Sequence, residues 1–246
     1  MIDASQFRPV DDDLLTERAL LERVETKFVF RPDELEVFLG RLGSADYGLV
    51  LGKNSGLSEY KNLYFDSADR RFLREHHRGC RPRFKVRIRH HVSRGLSFFE
   101  IKEKRPSNAT VKARIAIDFQ SQTLTPEAHK AMDTHPRLVP SVLHPTMGID
   151  FMRSTLVGFN TPERITIDMG LRFSDGEHSR GFDDLVIVEV KQERFSPRSP
   201  IIRALRDMGA LQLRVSKYIT GAQLLWPDIR LNRYRPRLRM LRRRTA

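Results

Sequence analysis

Period-two alternation is the feature that most constrains this chain. In Phe84-Lys85-Val86-Arg87-Ile88-Arg89 one face is wholly apolar, and the other offers three consecutive cations. Successive side chains of a strand point to opposite faces, so such a segment reads as a half-buried β-strand. The same reading covers Arg23 to Phe30, Leu63 to Asp66, Arg83 to His91, Ser97 to Lys104, Val111 to Phe119, Arg164 to Phe173 and Leu185 to Lys191. Their spacing predicts hairpins in an antiparallel sheet rather than strand-helix-strand crossovers. Helices are predicted from Pro32 to near Gly43, from Ser199-Pro200 to near Gly209, and from the N-cap Ser216 through Leu225, where Pro227 stops it. Thr125-Pro126 opens a short one, and the apolar stretch around Leu14, Leu15, Leu20 and Leu21 is a further candidate. Strands grouped with a few helices place the chain in the α+β class.

The polar faces of these strands are not the usual mixture. Lys85, Arg87 and Arg89 align on one; Glu100, Lys102 and Lys104 on the next; Lys112 and Arg114 on a third. Arg23, Glu25 and Lys27 share a face, as do Arg164 and Asp168, and Glu189 and Lys191. Like charges opposed across neighbouring strands destabilise a sheet by a few tenths to about 1 kcal/mol per pair, so stacking many of them calls for compensation. A bound polyanion supplies it. Among the interleaved acids Asp168 reads as a structural ion-pair partner. Glu189, with Glu25 second, is the better metal candidate, because Mg²⁺ and Mn²⁺ take carboxylate and phosphate oxygens and need only one or two protein carboxylates.

Charge has to be located before it is interpreted. The net charge is +13, but from Arg230 onward the chain carries eight arginines and no acid, so the body is only moderately basic. With no nucleic-acid reader motif and no aromatic-basic stacking platform, nucleic acid is disfavoured as the partner. The 246 residues and 39% apolar content suffice for one substantial core. The expected division is an N-terminal extension over 1–21, one domain over 22–228 and an arginine-rich tail over 229–246. The tail suits solvent, anionic lipid, polyphosphate or nucleic acid, or docking on a membrane partner. Cys80, the single cysteine, excludes an intramolecular disulfide framework. No apolar run approaches the roughly 20 residues of a membrane span and no secretory leader is visible, so a soluble, cytoplasmic protein is expected, with membrane association only through the tail or a partner. Gly48-x-x-x-Gly52-Lys53 is one residue short of a phosphate-cradling loop, and His76, His77 and Cys80 lack a second pair at zinc spacing. Trp226 reads as packing.

The motifs taken in order carry a family resemblance. They are Arg23-x-Glu25-x-Lys27, Tyr64-Phe65-Asp66, Lys85-x-Arg87-x-Arg89, Glu100-x-Lys102-x-Lys104, Lys112-x-Arg114, Phe151-x-Arg153, Arg164-x-Thr166-x-Asp168, Glu189-x-Lys191 and Ser216-Lys217. From Glu22 to Leu225 the sequence resembles the VTC-type polyphosphate polymerase domain, a branch of the triphosphate tunnel metalloenzymes in the CYTH-like superfamily. The resemblance implies a closed antiparallel β-barrel of about eight strands whose polar interior is a tunnel wall. It implies that Arg87, Arg89, Lys102, Lys112, Arg114, Arg153 and Arg164 grip a triphosphate, with Lys27, Lys85, Lys104 and Lys191 as further contacts. Glu189, with Glu25, would hold Mn²⁺ or Mg²⁺, and Lys217 would lie near a tunnel mouth. The implied reaction moves the γ-phosphoryl group of ATP onto growing polyphosphate.

Three departures bear on that implication. Arg23 stands where hydrolytic members carry the first glutamate of Glu-x-Glu-x-Lys, which favours the polymerase branch. His90 and His91 stand where tyrosines are frequent. No membrane segment accompanies the domain, so a translocating membrane partner would be a separate chain. A tri- or polyphosphate hydrolase of the same fold, and a non-catalytic polyphosphate or inositol-phosphate sensor, stay open at this level.

Overall fold

A computed structural model describes residues 6–18, 24–52, 56–107 and 109–245. Leu20, Leu21, Arg23, Lys53 and Asn54 lie outside the described residues. One twelve-stranded sheet dominates. Its strands are β1 (Arg8–Pro9), β2 (Val24–Phe30), β3 (Tyr47–Leu49), β4 (Ser58–Asp66), β5 (Arg83–His91), β6 (Leu96–Lys104), β7 (Thr110–Ile117), β8 (His144–Gly158), β9 (Glu163–Ser174), β10 (Ser179–Phe182), β11 (Val186–Gln192) and β12 (Leu211–Gln212). The helices are α1 (Asp12–Glu17), α2 (Leu35–Gly40), α3 (Arg71–Arg78), α4 (Pro126–Asp133), α5 (Pro200–Asp207), α6 (Lys217–Leu225) and α7 (Arg235–Thr245).

The main path runs β12-β2-β11-β9-β8-β4-β5-β6-β7, antiparallel at every step, while β10 extends β9 and β3 bridges β8 to β1. Register shifts at Tyr64/Phe65 and Asp150/Met152 break the β4–β8 and β8–β9 ladders and let the long β8 bend. The sheet therefore curls, but among the described residues no ladder joins β7 to β2 or β12. The expected closure by strand pairing is thus incomplete. The edge strand β7 turns Lys112 and Arg114 toward the same cavity as Lys27 of β2, and inward charges on an edge are a known deterrent to pairing.

The convex face of the sheet is apolar and helix-covered. Phe28, Phe30, Val186, Val188 and Val190 pack under α2 and α5 through Phe38, Leu39, Ile201 and Leu205. Phe84, Val86, Ile88, Phe99 and Ile101 pack with Phe72, Ala128 and Met132 of α3 and α4. The third helix group sits differently: α6 lies inside the curl, its Tyr218 and Ala222 against Met147, Ile149, Phe151, Phe173 and Ile187. A β-carbon on Gly221 would come within 2.6 Å of Phe173 and 2.7 Å of the Met147 sulfur, so only glycine permits this approach. Each helix predicted from its cap is present: Thr125, Ser199 and Ser216 accept from the amides of Ala128, Ile202 and Ile219.

Asp66 of the Tyr64-Phe65-Asp66 triplet is structural. Its carboxylate accepts from the Phe72 and Leu73 amides at 2.9 and 3.0 Å, and from the Tyr218 hydroxyl at 2.7 Å, so it caps α3 and ties α6 to β4. Beyond Trp226, which donates its indole N–H to Asp175 at 2.9 Å, the chain turns back along the body. α7 buries Leu241 and bonds Arg244 to both oxygens of Glu34, at 2.6 and 2.9 Å. Gly48 lies in β3 and Cys80 is exposed, and among the described residues His76, His77 and Cys80 do not converge as a metal site.

Candidate anion channel

The concave face encloses a cavity of about 410 Å³ whose wall is assembled from several strands and the start of α6. It is lined by Lys27, Lys85, Arg87, Arg89, Lys102, Lys112, Arg114, Arg153, Lys191 and Lys217 against three carboxylates, Glu25, Glu100 and Glu189. Of the residues expected at the site, Lys104 and Arg164 are not part of this lining. Lys104 ends β6, and Arg164 lies near the start of β9 opposite Val157 and Lys191.

Seven of the ten cations fall into three groups, each held by a different carboxylate. Arg87 donates to Glu100 at 2.7 Å and to the Tyr64 hydroxyl at 2.8 Å, while Arg89 donates to Asn62 at 3.1 Å. Arg89 and Arg114 reach the same Glu100 carboxylate at 3.7 and 3.8 Å, so one carboxylate on β6 serves three arginines. Those guanidiniums are aligned without being fully neutralised, and each keeps donors for a planar phosphate oxygen pair.

Across the channel Asp168, buried on β9, receives Arg153 bidentately at 2.5 and 2.8 Å and also the Lys217 ammonium. Burial alone would raise the Asp168 pKa; Arg153 and Lys217 nevertheless hold it below the ordinary carboxylate range. Asp168 thus acts as the structural ion-pair partner read from the sequence, and what it positions is an Arg–Lys pair on the ligand side. Arg153 and Lys217 both lie close to the Phe151 ring, which fixes their stems.

The third group surrounds Glu189, which binds Lys27 at 2.5 Å and Lys191 at 3.0 Å. Burial opposes its charge, but Lys191 and Lys27 hold its pKa well below the usual range. Lys191 is correspondingly perturbed, its pKa brought down to about 8 by burial despite Glu189. Lys85 shifts in the same direction: burial, with Lys102, Arg87 and Arg83 as neighbours, holds it well below the lysine range. It donates to Ser216 at 3.1 Å.

Among the described residues Glu25 and Glu189 are the one carboxylate pair of the lining on adjacent strands, and the charge of Glu189 acts on Glu25. Among the described residues no three His, Cys, Asp or Glu side chains converge as a preformed metal cage. The donor set therefore fits a hard divalent ion in one form, with one or two carboxylates from the protein and the remaining oxygens from a phosphate ligand.

Residues 22–226 match the family model described as the VTC domain. The chain belongs to the VTC domain family. Solved structures extend the likeness at the level of fold. A protein from Bacillus halodurans described as a candidate adenylate cyclase superposes with a TM-score of 0.52 at 13% identity, covering 79% of this chain and 94% of its own. A Hippeastrum protein, a candidate adenylyl cyclase described as having a dominant triphosphatase activity, gives 0.55 at 13% identity, covering 82% and 95%. No curated protein matches the sequence. No helix among the described residues is long and apolar enough to cross a membrane.

Several lining residues escaped the sequence reading. Asn62 sits opposite Arg89 in the β4–β5 ladder, and β4 begins at Ser58, five residues before the predicted start. Extending the period-two pattern backward through Tyr64, Asn62 and Tyr60 is the signal that would have found it. Glu100 was visible on its strand, but its role as the shared acceptor of three arginines depends on both neighbouring ladders.

Proposed function

We propose that this domain is a metal-dependent polyphosphate polymerase, moving the γ-phosphoryl group of ATP onto the end of a polyphosphate chain inside the channel. The observation that carries the reading is the ten-to-three excess of cations over carboxylates in one enclosed cavity. An anion of high charge density offsets the mutual repulsion of such an excess. A nucleoside triphosphate meeting a linear polyphosphate end to end supplies that charge along a line.

Phosphoryl transfer asks for alignment and charge stabilisation more than for a protein nucleophile. A terminal oxygen of the acceptor phosphate attacks the γ-phosphorus, the bond from that phosphorus to the β,γ-bridging oxygen breaks, and ADP leaves. Arg87 and Arg89, aligned by Glu100 and Asn62, would grip equatorial oxygens, and Arg153 and Lys217, aligned by Asp168, would grip from the opposite wall. Glu189, with Glu25, would hold Mn²⁺ or Mg²⁺, whose contribution is to offset charge on the bridging and terminal oxygens.

Transfer to phosphate rather than to water is supported by Arg23, which stands where hydrolytic members carry the first glutamate of Glu-x-Glu-x-Lys and so removes one possible metal-binding carboxylate. The test incubates purified protein with ATP and Mn²⁺ and follows both chain-length distribution and free phosphate. Long chains with ADP are expected. Phosphate release without chains would make it a hydrolase, and binding without turnover would make it a sensor.

A further inference from the structure

The cations do not stop at the cavity edge. Resting on the polyanion reading above, we infer that the phosphate chain leaves by the mouth at the start of β5 and end of β6, and runs onto a basic surface track completed by Arg233 of the C-terminal segment.

The observation is a change in how the charges are arranged along β5. In the ladder with β6, Arg87 stands opposite Glu100, but the next inward-facing pair is Lys85 opposite Lys102, and the pair beyond is Arg83 opposite Lys104. Lys102 is in turn opposite Lys112 of β7. Two successive cation–cation pairs on one ladder, with a third cation across, are an arrangement that ordinary sheets avoid. Among the described residues Arg81, Arg83, Lys85, Lys102 and Arg233 form no direct ion pair, and Glu25 of β2 is the carboxylate whose charge reaches Lys102 and Lys104 at this end. The opposite end of the same strand is unlike this, because Glu100 serves Arg87, Arg89 and Arg114 there.

Backbone placement extends the row onto the surface. Arg83 donates to the Cys80 carbonyl at 3.3 Å, and Arg233 Nη1 lies 3.0 Å from where a β-carbon of Gly79 would stand, so both guanidiniums converge on the turn that precedes β5. Tyr234 fixes that approach by donating to the His76 carbonyl at 3.4 Å. His76 is pushed down to about 2, by burial first and then by Lys85, Arg83, Lys102 and Arg233, which agrees with a continuous positive field from the channel outward. Arg81 and Arg233 are exposed, so this stretch is open to a ligand longer than the cavity.

The track therefore discriminates by length. A ligand that fits the cavity, such as inorganic tripolyphosphate, does not reach it; a long polyphosphate does. Binding of tripolyphosphate and of long-chain polyphosphate would be measured for the wild type, an Arg83→Gln/Arg233→Gln double variant and an Arg83→Lys/Arg233→Lys double variant. The glutamine variant is expected to bind tripolyphosphate within about twofold of wild type and the long chain about tenfold more weakly, with the lysine variant restoring most of the loss. Equal affinity of wild type and glutamine variant for the long chain overturns the track while leaving the channel reading intact. Equal losses for both ligands also overturn it, because the arginines would then act on the cavity itself. Failure of the wild type to bind either ligand removes the channel reading and the track together.

Discussion

Replacing Asp168 by asparagine removes the charge that holds Arg153 and Lys217 on the ligand wall. Asp168 is 1% exposed, and its two oxygens are bonded to Arg153 at 2.5 and 2.8 Å, with Lys217 as a third partner. Leaving buried charges unpaired costs about 3–5 kcal/mol. Arg153 and Lys217 keep 15% and 19% of their side-chain surface in solvent, which places the loss at the lower end, about 3 kcal/mol. For a chain of this size each kcal/mol is worth about 2–4 °C, so Tm should fall by about 6–12 °C. The variant's two cations then await an anion, so saturating tripolyphosphate should raise Tm more in the variant than in the wild type.

The pH dependence has a defined sign. Because the folded-state pKa of Asp168 is depressed, its contribution is present above the unfolded value of about 3.9 and is lost as pH falls through the folded value. The gap between wild type and variant should therefore be full at pH 7 and shrink on acidification below about pH 4. Differential scanning calorimetry with and without tripolyphosphate reads all of this. A fall of less than about 2 °C at pH 7, or an equal ligand response in both proteins, would refute the assignment of Asp168 as the organiser of that wall.

The other walls yield their own predictions. Glu189→Gln should abolish ATP-dependent chain growth and retain tripolyphosphate binding; undiminished growth would remove Glu189 from the metal role. Arg87→Ala should weaken tripolyphosphate binding by about tenfold or more, since a charge-assisted contact is worth about 1.5–3 kcal/mol, and unchanged affinity by calorimetry would take β5 off the ligand wall. Lys191, with its pKa brought to about 8, should carry its proton into the complex, so wild-type affinity should drop as pH rises through about 8 by more than that of Lys191→Gln. Matching pH profiles for the two proteins would exclude that proton. Gly221→Ala should destabilise the fold by about 1–3 kcal/mol, because Phe173 and Met147 stand where the methyl group would go; an unchanged denaturation midpoint would show that α6 is free to shift.

The ligand wall was legible where a strand keeps one phase from end to end. β5, β6, β7 and β11 do so, and their alternation named seven of the ten cations of the channel. β9 does not: its Gly170 and Leu171 stand opposite Phe151 alone, so its alternation changes phase, whereas β8 keeps Ile149, Phe151 and Arg153 on one face but turns that face from apolar to cationic, and only Phe151-x-Arg153 stood out. α3 was missed because its signals are not local: Arg70 at its N-terminus is left-handed with φ 53°, and the cap comes from Asp66 at the end of β4. The position of α6 inside the curl rests on Gly221 and the apolar inner faces of β8 and β9, which no periodicity distinguishes from an outward core. For the tail, eight arginines obscured the short apolar set that docks it, chiefly Leu231, Leu238 and Leu241. Alternation reports which face a residue takes, and depth along the channel needs the ladder registers, which place Lys104 at the end of β6 and Arg164 near the start of β9.

A crystal structure of the protein with tripolyphosphate and Mn²⁺ tests the convergence of these cations most directly. The phosphorus atoms should lie in a line between Arg87, Arg89 and Lys102 on one side and Arg153 and Lys217 on the other, with an anomalous manganese peak at Glu189 and Glu25. Phosphate density confined to the outer surface of the sheet or to α7, with the channel ion pairs unchanged, would contradict it.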